Sequence, residues 1–135
     1  MFCVLKELNA KKVVSTAEIE VGTVIMNLTG KVLLYPYKYS IQLNETEHLH
    51  PFDLNKQLLE QQAWMYLNHS CNPNTFIDTK KLQQIAIRKI LANEELTFDY
   101  ETTEELMKEP FQCVCKSENC RGLIKGNTTI VSKSY

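Results

Sequence analysis

Apolar residues along this chain gather in short β-branched clusters and rarely recur at helical spacing. Val13-Val14 and Val24-Ile25-Met26 lie either side of a break at Gly22, and Thr29-Gly30 turns into Lys31-Val32-Leu33-Leu34-Tyr35. The first third therefore reads as short strands in a meander. Residues 36–51, rich in Tyr, Asn, Glu and His, keep neither period and predict an irregular loop. Asp53 is placed to cap a helix whose apolar positions, Leu54, Leu58, Leu59 and Met65, recur at three to four residues, while Gln57, Gln61 and Gln62 face out. That helix must stop before Asn72-Pro73. Strands return at Thr75-Phe76-Ile77-Asp78 and over residues 82–87, joined by the polar turn Thr79-Lys80-Lys81, with Ile85 and Ile87 in alternation. Glu95-Leu96-Thr97-Phe98-Asp99-Tyr100 is a further strand-like run, after which Thr102 or Thr103 caps a short helix through Met107 that Pro110 breaks.

At 135 residues, with no repeat, linker or low-complexity tract, the chain is one compact unit. Fifteen Lys and Arg against 16 Asp and Glu, a formal net charge of -1, argue against a nonspecific grip on nucleic acid. Lys6 and Glu7 interrupt the start before a signal-type apolar segment can form, and no run has transmembrane length. A monomer in a reducing compartment, cytoplasm or nucleus, with no membrane contact is expected. The four glycines form no phosphate-cradling loop and no dinucleotide fingerprint, which argues against phosphoryl transfer and nicotinamide chemistry.

The five cysteines change the picture. An odd count in such a compartment does not suit a disulfide framework. Cys71, in Asn68-His69-Ser70-Cys71-Asn72-Pro73-Asn74, together with Cys113, Cys115 and Cys120 has the count and clustering of a closed tetrathiolate zinc site; the bland alternative is four unrelated thiols. Cys3 is left over and reads as a small buried hydrophobe. His48 and His50, in the polar loop, are expected to be exposed and uninvolved. Lys80-Lys81 and Arg88-Lys89 read as solvated turns or strand faces, with contact to acidic partners as the alternative. Glu101, Glu104, Glu105 and Glu109 form an acidic stretch suited either to basic substrate tails or to a solvated helix face.

Three elements then stand in order: Asn68-His69-Ser70-Cys71-x-Pro73-Asn74, Glu95-Leu96-Thr97-Phe98-Asp99-Tyr100, and Cys113-x-Cys115-x4-Cys120-Arg121-Gly122. Together they resemble the SET-domain protein lysine methyltransferases with a post-SET zinc motif, from about Val13 to about Gly126. Residues 17–25 and 29–32 are similar to the family's opening strands. The resemblance implies a mainly β fold of several small curved sheets with few short helices. In it the Asn-His-Ser and Asp-Tyr segments pass beside one another in a knot-like crossing. It also implies a division into a SET domain at 1–108, a zinc-bound post-SET segment at 109–126 and a tail at 127–135.

The implied activity is transfer of a methyl group from S-adenosylmethionine to a lysine in a basic segment of a protein substrate, histone or other. Tyr100 and Phe98 take the catalytic positions, with Phe98 leaving room for di- and trimethylation. Asn68, His69, Tyr66, Tyr100, Phe111 and Leu123 match the cofactor site, and Cys71, Cys113, Cys115 and Cys120 match the zinc ligands. The chemistry asks for this set independently. The attacking amine must be neutral and aligned, and an apolar aromatic channel favours the neutral form of a group whose free pKa is about 10.4. The pattern departs at Ala10-Lys11-Lys12, where the family has Gly-x-Gly, and at Met65, where it commonly has Arg. A catalytically silent SET-like module that binds a peptide, and a purely zinc-stabilised interaction domain, are the rival readings.

Overall fold

A computed structural model describes residues 1–8, 10–52 and 62–129, and they fold into small sheets with no α-helix among them. A hairpin of β1 (Phe2–Glu7) and β2 (Ala10–Ser15) runs from Phe2 opposite Ser15 to Glu7 opposite Ala10. β3 (Val24–Asn27) joins the hairpin of β8 (Thr75–Asp78) and β9 (Gln83–Ala86), with β9 central. A third sheet sets β6 (His48–His50) between β4 (Lys31–Leu33) and the edge strand β5 (Ile41–Gln42). β7 (Asn68–His69) and β10 (Thr97–Phe98) pair in parallel, and β11 (Phe111–Gln112) with β12 (Leu123–Ile124) antiparallel.

The sheets share one core. Val13, Leu49, Trp64, Ile90 and Leu96 are almost wholly enclosed, each contributing on the order of 2 kcal/mol by burial. Trp64 can sit there because its indole N–H donates to the Thr29 carbonyl at 2.9 Å. Gly30 admits the closest approach: a Cβ at that position would lie 2.1 Å from the His50 carbonyl oxygen, so β4 and β6 meet only over a bare backbone.

The mainly β expectation holds, while several local expectations do not. Residues 36–51 are not a loop throughout, since β5 and β6 lie within them. Pairing with β4 supplies the order that the sequence period lacks. His48 and His50 are accordingly buried, not exposed. Tyr35 and Tyr37 pack on the His50 ring, whose Nε2 lies 2.7 Å from the Tyr35 carbonyl oxygen, and burial lowers the pKa of His48. Ile85 and Ile87 alternate, but β9 buries the other phase, Gln84 and Ala86. Gln84 is accommodated by donating to Thr75 Oγ1 at 3.0 Å. Cys3 is only half-buried, in a strand none of whose residues is fully enclosed. The helix expected from Asp53 falls mostly outside the described residues; its end is a 3₁₀ turn, Ala63–Tyr66, containing Met65. The helix expected after Thr102 is replaced by the 3₁₀ turn Tyr100–Thr102, which Asp99 caps by accepting from the Glu101 N–H.

Candidate active site and thiolate cluster

Two short motifs, far apart in sequence, build the floor of the site. Thr97 pairs with Asn68 and Phe98 with His69, and the Ser70 N–H donates to the Phe98 carbonyl at 3.2 Å. The expected side-by-side passage of the Asn-His-Ser and Asp-Tyr segments is thus present. Two residues per strand is little to fix a register, and Asn74 supplies the rest. Its buried amide accepts from the Thr97 N–H at 3.0 Å and donates to the Glu95 carbonyl and the Glu94 carboxylate, both at 2.8 Å. A side chain here takes the place of a third strand partner.

A cleft of about 680 Å³ opens above this crossing, lined by Tyr66, Asn68, Phe98, Tyr100 and Phe111 together with Lys11, Tyr37, Tyr39, Glu104 and Met107. Tyr100 is one of its walls. The strand ends at Phe98, so the two rings do not share a strand face; the turn instead brings them to 4.9 Å. The Tyr100 hydroxyl donates to the Leu67 carbonyl at 2.5 Å. Burial raises its pKa, with Glu104 and Glu95 adding to the shift. Its proton is therefore committed, and the oxygen's lone pairs remain as acceptors.

His69 holds this ring from behind. Its ring centroid lies 5.3 Å from that of Tyr100 and 5.7 Å from that of Phe111. Its Nδ1 accepts the Tyr100 backbone N–H at 3.1 Å, which leaves Nε2 to carry the proton and donate toward Cys71 Sγ at 3.3 Å. Burial lowers its pKa despite Asp99 nearby, so the ring is neutral. Asn68 donates to Glu95 at 2.9 Å and to the Lys11 carbonyl at 3.3 Å. The Tyr66 hydroxyl accepts from the Lys11 ammonium at 3.3 Å, and that ammonium also lies 4.5 Å from the Tyr66 ring centre. Of the expected cofactor residues, His69 stands behind the lining and Leu123 outside it, half exposed on β12 opposite Gln112.

Behind the site the sulfurs of Cys71, Cys113, Cys115 and Cys120 lie within 4.8 Å of one another. Cys71 Sγ and Cys113 Sγ are 3.8 Å apart, which matches two corners of a tetrahedron with zinc–sulfur bonds of about 2.3 Å. The surroundings fit thiolates as well. The backbone N–H groups of Arg121 and Cys115 point at Cys71 Sγ and Cys113 Sγ, both at 3.4 Å. Burial pushes the Cys113 thiol up to about 12, while the Ser117 hydroxyl holds Cys115 down at about 5. Such a mixed set binds a cation readily, because the metal replaces the protons the buried thiols would otherwise retain.

Sequence reasoning left Arg121 and Glu101 without these roles. The Arg121 guanidinium donates to Asp99 at 2.6 Å and to Glu101 at 2.9 Å, joining the cysteine tail to the residues either side of Tyr100. Glu101 also accepts the N–H groups of Lys125 and Gly126, both at 3.1 Å. Position directly after Cys120 was the available signal. The acidic stretch is not a solvated helix face, since Glu101 binds the tail and Glu104 turns into the cleft.

A mainly β fold with a strand crossing, an aromatic cleft and a four-sulfur cluster behind it defines a class of protein, and comparison with known proteins identifies it. The SET domain family model matches residues 11–101, and the chain belongs to that family. A methyltransferase of Aspergillus flavus, flvH, is 43% identical over 76 residues, covering 55% of this chain and 42% of the relative. The human histone-lysine N-methyltransferase SETD1B is 42% identical over 65 residues, which is 44% of this chain and 3% of that protein. The chain thus spans less than half the length of either relative. Among solved structures, the methyltransferase domain of human SETMAR superposes with a TM-score of 0.68 over 93% of this chain and 58% of that one, at 18% identity.

Proposed function

We propose that the chain is an S-adenosylmethionine-dependent protein lysine N-methyltransferase with a structural zinc. The observation that carries this reading is the tyrosine hydroxyl, pinned by Leu67 and turned with free lone pairs into an aromatic cleft over the strand crossing. S-adenosylmethionine would supply a methyl carbon on a positive sulfur; the lysine ammonium would first give its proton to water, and the neutral amine would then bond to that carbon as the carbon–sulfur bond broke, leaving S-adenosylhomocysteine. The protein's part is positioning. Tyr100 offers an acceptor that orients the reacting groups without serving as a base, because its own proton is committed to Leu67. Phe98, buried and lacking a hydroxyl, makes no polar contact that would hold the amine in one pose, which favours di- and trimethylation. Asn68, Tyr66 and Phe111 line the cleft for the cofactor, His69 backs Tyr100 from behind it, and Leu123 remains a weaker member of the set. Cys71, Cys113, Cys115 and Cys120 would hold the zinc, which ties the segment at 109–126 to the strand crossing.

Relatives support the substrate class. SETD1B is named for histone lysine, and a neighbouring structure, KRYPTONITE, was solved with S-adenosylhomocysteine and an H3 peptide. A lysine in a basic segment of a histone or similar protein, met in the cytoplasm or nucleus, is the substrate we infer. The second reading, a silent peptide-binding module, is favoured by one feature: Ala10 and Lys11 line the cleft where glycines would leave bare backbone. Calorimetry of zinc-loaded protein with S-adenosylmethionine separates the two. The enzyme reading requires saturable one-to-one binding, and none at all would leave the silent module.

A further inference from the structure

Two carboxylates line the cleft without a salt bridge among the described residues, Glu104 and Glu109, and only Glu104 is drawn in from solvent, Glu109 being exposed. Asp99 and Glu101 meet Arg121, and Glu94 meets Arg88. Glu104 lines the same cleft as Tyr100 and Phe98 and takes part in no salt bridge among the described residues. Its Oε2 is fully engaged, accepting the Gln42 N–H at 2.9 Å and the Thr103 hydroxyl at 2.7 Å. Among the described residues Oε1 accepts no hydrogen bond. Burial raises its pKa against the pull of the Gln42 N–H and the Thr103 hydroxyl, so the charged form lacks a counter-ion rather than a fixed position. The position itself is locked, because the Glu105 N–H donates to Gln42 Oε1 at 2.8 Å and clamps this segment to the free edge of β5.

We propose that Glu104 is an ammonium-receiving group that recognises the charged end of the incoming lysine, an inference that rests on the lysine methyltransferase reading. A preorganised carboxylate beside aromatic walls suits an alkylammonium: the rings take the methylene chain and the oxygen takes the charge. The cofactor's own α-ammonium has the same chemistry. Glu104 is anchored on β5 through the Gln42 N–H and on Tyr100 through its own N–H, which donates to the Tyr100 carbonyl at 2.9 Å, so the S-adenosylhomocysteine arm of the test separates the two ammonium sources.

The test titrates the zinc-loaded chain, with and without S-adenosylhomocysteine, with Nα-acetyl-lysine methylamide and its neutral counterpart Nα-acetyl-norleucine methylamide, followed by NMR. Wild type should bind the lysine compound at least fivefold more tightly and shift the Gln42 and Thr103 amides. Glu104→Gln, which keeps an acceptor for Gln42, should abolish that preference while leaving S-adenosylhomocysteine affinity within twofold; Glu104→Asp should retain part of it. Equal binding of both compounds by wild type overturns the proposal without recourse to any variant. So does a Glu104→Gln protein that keeps its preference, or one that loses the cofactor product instead. Charge-selective lysine binding by a chain that takes up no S-adenosylhomocysteine would uphold Glu104 while refuting the enzyme.

Discussion

Replacing Glu101 by Gln should loosen the metal site although Glu101 is not a ligand. Its carboxylate receives three donors from the tail: the Arg121 guanidinium at 2.9 Å and the Lys125 and Gly126 N–H groups at 3.1 Å. A hydrogen bond to a charged group is worth about 1.5–3 kcal/mol when enclosed. The Arg121 side chain is 39% exposed, so solvent discounts that bond to under about 1 kcal/mol. Glutamine keeps one acceptor but loses the charge, and the net cost is about 2–3 kcal/mol. Ordering of the tail and metal binding are coupled, so this cost appears as weaker zinc affinity, roughly 30- to 150-fold at about 1.4 kcal/mol per decade. Competition against a chromophoric chelator at neutral pH measures it directly. The sign with pH follows from the same contacts. Burial pushes the Glu101 carboxyl up, but the Lys125 N–H, Arg121 and Gly126 N–H outweigh it and hold it below the usual range. Its contribution is therefore complete above about pH 4.3, the unfolded value, and fades as pH falls through the lower folded value. A zinc affinity within threefold of wild type in Glu101→Gln would refute the clasp.

Tyr100→Phe should reduce methyl transfer by about 100-fold while zinc content stays close to wild type and stability falls only by the lost Leu67 hydrogen bond, about 1 kcal/mol, as read by labelled-cofactor turnover, metal analysis and thermal unfolding. Phe98→Tyr should shift products toward monomethyllysine by intact-mass spectrometry; an unchanged product distribution would remove Phe98 from its proposed role. Gly30→Ala sets a Cβ 2.1 Å from the His50 carbonyl oxygen and should cost about 3 kcal/mol or more in denaturant unfolding, since backbone rather than a flexible side chain must yield. Stripping the metal with a chelator should abolish S-adenosylmethionine binding in calorimetry, with recovery on adding zinc.

Legibility in the sequence tracked how local each signal is. The strands β2, β3, β8 and β9 carry β-branched or alternating residues between turn residues, and they were readable. β5 and β6 were not, because their order comes from partners rather than from their own period. The buried phase of β9 was misleading for a related reason: a polar Gln84 can be enclosed once Thr75 accepts its N–H, and no pattern rule anticipates that partner. The cysteines and the Asn-His-Ser and Asp-Tyr runs were legible because metal ligands and reacting groups admit few residue types. Asn74, Arg121 and Glu104 act through contacts with distant backbone or charge, for which composition and spacing carry no mark.

The two-residue parallel pair also says something about time. β1 with β2 and β8 with β9 are neighbours in the chain and close small loops, so they can form early. β7 pairs with β10 across the β8–β9 hairpin, and forming that hairpin first shortens the loop their pairing must close. The sulfur cluster joins Cys71 to Cys113 across 42 positions. Contacts of this span slow folding and come late. The cleft and the sulfur cluster both rest on such contacts, so they are expected to form after the local hairpins and to come apart before them on partial opening.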